Sequence, residues 1–121
     1  MNKTVLVIED HEDNRRIMHD LLTSKGYEVI EAVNGLEGVH AAETHRPDLI
    51  LLDIQLPGID GYEATRRIKA NPDLQKIPII VVTSYAMSGD DVKAFEAGCD
   101  AYVAKPFSPR MLLAKIREYL P

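Results

Sequence analysis

The sequence predicts an α/β domain: a doubly wound parallel sheet with helices on both faces, built from five strand-helix units, (βα)5. Short β-branched and almost wholly apolar runs recur along the chain, and a strand that is apolar on successive residues is a strand covered on both faces. Between these runs lie amphipathic stretches of helical period, opened by capping residues or closed by glycine, and alternation of the two is the βαβ pattern. Size adds a third constraint. With 121 residues, 45% of them hydrophobic, the chain makes one core that hides about two-thirds of the surface the unfolded chain exposes, so residues 1–121 are expected to form a single domain.

The elements follow in order. Val5 to Glu9 reads as the first strand, and the helix after it carries an apolar stripe of Ile17, Met18, Leu21 and Leu22 closed by Gly26. Glu28 to Ala32 is the second strand, after which Asn34 and Glu37 have capping-box spacing for a second helix. Leu49 to Asp53 is the third strand, and a third helix runs from about Gly61 to Ala70. Ile79 to Thr83 is the fourth strand. Ser88 with Asp91 caps a fourth helix that ends at Gly98, with Val92 and Phe95 as its only large apolar anchors. Ala101 to Ala104 is the fifth strand. Ser108 and Pro109 then supply a cap and first-turn proline for a fifth helix that turns Leu112, Leu113, Ile116 and Leu120 inward. No internal repeat, low-complexity tract or linker interrupts this order.

Composition excludes several function classes. Net charge is -5, the pI is near 5.3, and neither end carries a basic run, so direct nucleic-acid binding lacks an electrostatic footprint. No apolar run approaches the roughly 18 residues of a membrane span, and Val5 to Ile8, interrupted by Glu9, is too short for a signal peptide. A soluble cytoplasmic protein is expected. Cys99 is the only cysteine; it forms no internal disulfide, suits a reducing compartment and reads as a small packed residue. The histidines, His11, His19, His40 and His45, lack ligand spacing and read as surface residues, with His11 alone near the strand ends discussed next.

The stretch "LILLDIQLPGIDGY", Leu49 to Tyr62, runs four apolar residues directly into Asp53. An aspartate there can be an ordinary turn former or N-cap, and Thr83, Lys105 or Tyr102 taken singly are equally ordinary. Their joint placement is not. In a doubly wound sheet ligands collect at the carboxyl ends of strands. Here strand 1 ends in Glu9 and Asp10, strand 3 in Asp53, strand 4 in Thr83 and Ser84, and strand 5 passes into Lys105 and Pro106. If strands 1 and 3 are neighbours, Asp10, Asp53 and Glu9 converge, and two unit charges about 4 Å apart repel by about 4 kcal/mol at an effective dielectric near 20. Such a cluster calls for a proton or a hard divalent cation. A metal-neutralised carboxylate flanked by a lysine and a hydroxyl is suited to receiving a phosphoryl group. Asp53 is then the nucleophile, Mg²⁺ lies between Asp10 and Asp53, and Lys105 and Thr83 bind phosphoryl oxygens.

The acidic pair Glu9-Asp10, "LLDIQLPGIDG" around Asp53, Thr83-Ser84 and Lys105-Pro106 resemble the receiver domain of two-component response regulators over the whole chain. The resemblance implies a flavodoxin-like three-layer sandwich with strand order 2-1-3-4-5. It implies that Asp53 accepts phosphate from a sensor histidine kinase or histidine phosphotransfer protein, and that Mg²⁺ is bound by Asp10, Asp53 and the backbone carbonyl of Gln55, with Glu9 acting through water. Thr83 and Lys105 would read the phosphoryl oxygens, the Lys105-Pro106 bond would be cis, and Tyr102 would be the switch aromatic. "DIQLP", "AMSGD" and "GCDAYVAKPFS" further resemble stand-alone receivers of the cell-division control type. Such a protein is a switch that catalyses only its own phosphorylation and dephosphorylation. It changes the surface of helix 4, strand 5 and helix 5 to control a downstream protein effector, and it acts as a monomer or a weak phosphorylation-dependent homodimer. One alternative is a receiver cut from a larger regulator or hybrid histidine kinase. A haloacid dehalogenase-type phosphatase would need a second aspartate where Gln55 stands, and a mononucleotide binder would need a small-residue phosphate loop where "EDHEDN" stands. A purely structural domain would have no use for the full set of strand-end residues.

Overall fold

The computed structural model describes residues 2–83, 90–105 and 107–121. Strands β1 (Thr4–Ile8), β2 (Glu28–Ala32), β3 (Leu49–Leu52), β4 (Ile79–Thr83) and β5 (Ala101–Ala104) alternate with helices α1 (Glu12–Ser24), α2 (Gly35–His45), α3 (Gly61–Ala70), α4 (Asp90–Ala97) and α5 (Pro109–Tyr119). All strand pairs are parallel, in the order β2-β1-β3-β4-β5. The order reverses beside β1, which puts a crevice at the carboxyl ends of β1 and β3.

Strand composition follows from the layers. Val5 and Val7 of β1 pack with Met18 and Leu22 of α1 and Leu112, Ile116 and Leu120 at α5. Leu6 and Ile8 pack on the other side with Ala42 of α2, Ala64 and Ile68 of α3 and Ala94 of α4. Every residue of β3 and β4 is buried, so alternation of apolar and polar positions is absent there. Full burial of each Leu, Ile or Val side chain contributes about 1.5–3 kcal/mol, and β1, β3 and β4 together supply most of them.

The expected caps form. The Asn34 side chain accepts from Glu37 N at 2.8 Å while Glu37 reaches back to Val33 N at 3.3 Å, and Ser108 Oγ accepts from Met111 N at 3.1 Å ahead of Pro109. Gly26 closes α1 with φ +87°, a conformation that glycine adopts without steric cost.

Three expectations need correction. Strand β1 runs one residue earlier than Val5 to Glu9, and β3 stops at Leu52, because Glu9 and Asp53 already leave the sheet. Ile17 is 57% exposed: α1 buries Met18 and Leu22, one turn apart, and Ile17 lies off that stripe. Val92 and Phe95 are also exposed, and α4 packs through Ala94 and Ala97 instead. The cap expected at Ser88 and the cis bond expected at Pro106 fall outside the described residues, as does Ser84.

Candidate functional site

Parallel register sets the site. Ile8 pairs with Leu52, so the chain leaves β1 and β3 side by side, with Asp53 N donating to Ile8 O at 3.1 Å and Glu9 N to Ala32 O at 3.0 Å. Thr83 closes β4 opposite Ala104, and Lys105 N donates to Thr83 O at 2.7 Å. Glu9, Asp10, Asp53, Thr83 and Lys105 are thereby delivered to one end of the sheet. Close approach of α3 completes the wall: a Cβ on Gly61 would lie 2.3 Å from Asp53 O and 2.6 Å from Ile54 Cα.

One carboxylate oxygen from each of Glu9, Asp10 and Asp53 lies within 4.8 Å of the other two. Lys105 Nζ stands 2.6 Å from Glu9 Oε1 and 3.4 Å from Asp53 Oδ2. The remaining oxygen of Glu9 accepts from His11 N at 3.2 Å, and Asp53 Oδ1 accepts from Gln55 N at 3.3 Å. Among the described residues, Asp10 Oδ1 is buried with no hydrogen-bond partner. Glu9 and Thr83 are fully buried and Asp53 is 5% exposed. Burial, and then the neighbouring Asp53 carboxylate, raise the Glu9 pKa above its ordinary value against the opposing pull of Lys105.

Three carboxylates facing one ammonium, with one buried oxygen unpartnered, fit a hard divalent cation that takes oxygen ligands. Both oxygens of Glu9 are engaged, one by Lys105 Nζ and the other by His11 N. Gln55 is exposed and its N–H bonds Asp53. Tyr102 is half-buried against the core shared by β4, α3 and α4. His11 is exposed and touches the site through its backbone.

Arg15 carries no motif signal in the sequence, yet it reaches the site. Its Nη1 donates to Glu9 O at 3.1 Å and, more weakly, to Asp10 O at 3.5 Å, while Nε meets Glu31 Oε1 at 3.2 Å. An arginine early in a helix normally reads as a solvated charge, and its carbonyl partners are set only by the folded β1-α1 turn.

A family model for the response regulator receiver domain matches residues 5–117. The polar-differentiation response regulator DivK of Brucella anthropi is 45% identical over 120 residues, covering 99% of this chain and 98% of that protein. DivK of Brucella ovis is 43% identical with the same coverage. The receiver domain of sensor histidine kinase PA1611 from Pseudomonas aeruginosa, solved with a magnesium ion coordinated in its active-site cleft, gives a TM-score of 0.92 at 36% identity, over 99% of this chain and 98% of that one. A putative response regulator from Chloroflexus aurantiacus gives a TM-score of 0.94 at 32% identity, with the same coverage. Its strand order, its acidic strand ends and these relatives place the chain in one family: it belongs to the response regulator receiver domains of two-component signalling.

Proposed function

We propose that Asp53 accepts a phosphoryl group from a sensor histidine kinase or histidine phosphotransfer protein, and that the phosphorylated chain controls a downstream protein effector. The observation that carries this reading is the carboxylate cluster of Glu9, Asp10 and Asp53, in which the buried Asp53 is also within 3.4 Å of Lys105 Nζ. Asp10, Asp53 and the Gln55 carbonyl would hold Mg²⁺, which supplies charge neutralisation for the incoming phosphoryl group. An Asp53 oxygen attacks phosphorus, the P–N bond of the donor phosphoimidazole breaks, and the released imidazole takes a proton from water. Lys105 transfers one of its N–H donors from the carboxylates to a phosphoryl oxygen, and the Thr83 hydroxyl donates to another. Glu9, at 2.6 Å, holds Lys105 in reach of both. The chain thus promotes its own phosphorylation and, with water as the nucleophile, its own dephosphorylation.

Its output surface is formed by α4, β5 and α5. It acts in the cytoplasm as a monomer or as a weak homodimer formed on phosphorylation. The acidic net charge of -5 argues against direct nucleic-acid binding, and among the described residues no helix is long and apolar enough to cross a membrane. Incubation with acetyl phosphate and Mg²⁺ tests the reading by intact mass. One added phosphoryl group is expected, and none in Asp53→Asn, whose amide is a far poorer nucleophile of the same shape. Equal labelling of the two proteins would refute it.

A further inference from the structure

We infer that Arg15 is a positioning residue for the cation site: it fixes the β1-α1 turn that aims the Asp10 carboxylate into the cluster. The inference rests on the metal-site reading above. Past Ile8 the backbone leaves the sheet, and the carbonyls of Glu9 and Asp10 are taken up by the Arg15 guanidinium at 3.1 and 3.5 Å. Arg15 N in turn donates to His11 O at 2.9 Å, so backbone and side chain of one residue tie three successive carbonyls of the turn. On its outer side the guanidinium is held by Glu31 of β2 at 3.2 Å, and Glu31 lies 3.4 Å from His19 Nδ1. The fork is therefore anchored to the neighbouring strand while it grips the turn. Among the described residues Asp10 Oδ1 receives no hydrogen bond, so the orientation of its side chain depends on the backbone that Arg15 holds. A planar guanidinium can serve both carbonyls and Glu31 at once, which a lysine ammonium cannot do in a fixed geometry.

Charge and geometry make opposite predictions here, and this separates positioning from a general electrostatic effect. A cation beside a cation site repels the incoming metal, so removing the Arg15 charge would tighten Mg²⁺ binding if charge were all that mattered. Loss of a group that orients a ligand instead weakens metal affinity, by about 10-fold to 100-fold.

Isothermal titration of the full chain with Mg²⁺ alone, on wild type, Arg15→Gln, Arg15→Lys and Glu31→Gln, decides between them, with far-ultraviolet circular dichroism confirming that each variant is folded. Arg15→Gln is expected to bind Mg²⁺ at least about tenfold more weakly than wild type. Arg15→Lys should recover part of the affinity because it keeps one donor for a carbonyl. Glu31→Gln, which removes only the outer tie, should lose no more than about fivefold. Affinity in Arg15→Gln equal to or tighter than wild type would overturn the inference, as would Arg15→Lys binding no better than Arg15→Gln, or Glu31→Gln losing more than either. If Arg15→Gln does not fold, Arg15→Lys carries the test: wild-type affinity in that variant would overturn the inference. A wild-type chain that takes up no Mg²⁺ would overturn the metal-site reading and this inference with it.

Discussion

A buried carboxylate oxygen without a partner, inside a group of three negative charges, destabilises the fold until a cation arrives. Among the described residues, Asp10 Oδ1 is such an atom. Replacing it by an amide removes one charge and adds two donors among carboxylate acceptors, so Asp10→Asn is expected to be more stable than wild type without Mg²⁺, by about 1 kcal/mol, and to gain less on Mg²⁺ addition. Thermal melts of both proteins with and without Mg²⁺ check this; a metal-free variant that melts below wild type would contradict the cluster. Cys99 offers a second residue-scale test. It is 6% exposed, and burial pushes its thiol from 9.0 up to about 11. Because the folded value is the higher one, the stability tied to the protonated thiol is present below pH 9 and lost as pH rises toward 11, to a limit of about 3 kcal/mol. Urea titrations across that window should show a shallower alkaline decline for Cys99→Ala than for wild type. The packed role of Cys99 was legible from its lone occurrence and from the short strand "AYVA" that begins two residues on. The Glu9-Lys105 pair, 96 residues apart, was not, because strand-end reasoning brings groups to one crevice without fixing which acceptor a flexible lysine chooses.

At the scale of elements, capping chemistry was the most legible feature, since Asn34 and Ser108 bond the backbone N–H three residues on and need no tertiary information. Which helix face is buried was less so. Counting large apolar residues selects Ile17, Val92 and Phe95, whereas α1 turns Met18 and Leu22 inward and α4 approaches the sheet through Ala94 and Ala97. A short helix anchored by two alanines leaves little buried area to oppose its motion, so α4 amides from Asp91 to Ala97 should exchange fastest among the five helices in native-state hydrogen exchange. Protection there equal to that of α5, which buries Leu112, Leu113 and Ile116, would contradict this. Helix α3 makes the opposite case. A methyl on Gly61 would meet the Asp53 carbonyl at 2.3 Å and Ile54 Cα at 2.6 Å, both of them backbone atoms. Gly61→Ala is therefore expected to destabilise by about 1–3 kcal/mol despite its better helix propensity. It should also slow phosphorylation by acetyl phosphate, because the segment carrying Asp53 must move. A variant as stable and as fast as wild type would show that the loop yields freely.

For the whole molecule, the parallel sheet and the placing of polar chemistry at its carboxyl edge followed from apolar runs and polar strand ends, because a sheet covered on both faces leaves polar groups nowhere else to go, whereas the strand order came only with the family resemblance. How a phosphoryl group at Asp53 would reach the far surface was legible only as far as the chain places residues in register. Thr83 pairs with Ala104, and Val81 pairs with Tyr102. Strand alternation puts Thr83, Val81 and Tyr102 on one face, the face that α3 and α4 cover. Phosphorylation adds a charge of roughly -1.5 to -2 and three acceptor oxygens. Thr83 drawn toward them vacates space on that face, and the half-buried Tyr102 ring can follow it beside the weakly anchored α4. Thr83→Ala should still accept phosphate but lose the beryllofluoride-induced NMR shifts of the Tyr102 ring and α4 amides; unchanged shifts would place the route elsewhere. All of this depends on Asp53 being the acceptor. The most direct measurement is to phosphorylate the chain with acetyl phosphate and Mg²⁺, reduce the acyl phosphate with borohydride, and locate the resulting homoserine by peptide mass spectrometry. Conversion is expected at position 53 alone, and conversion at position 10, or none at any aspartate, would contradict the account.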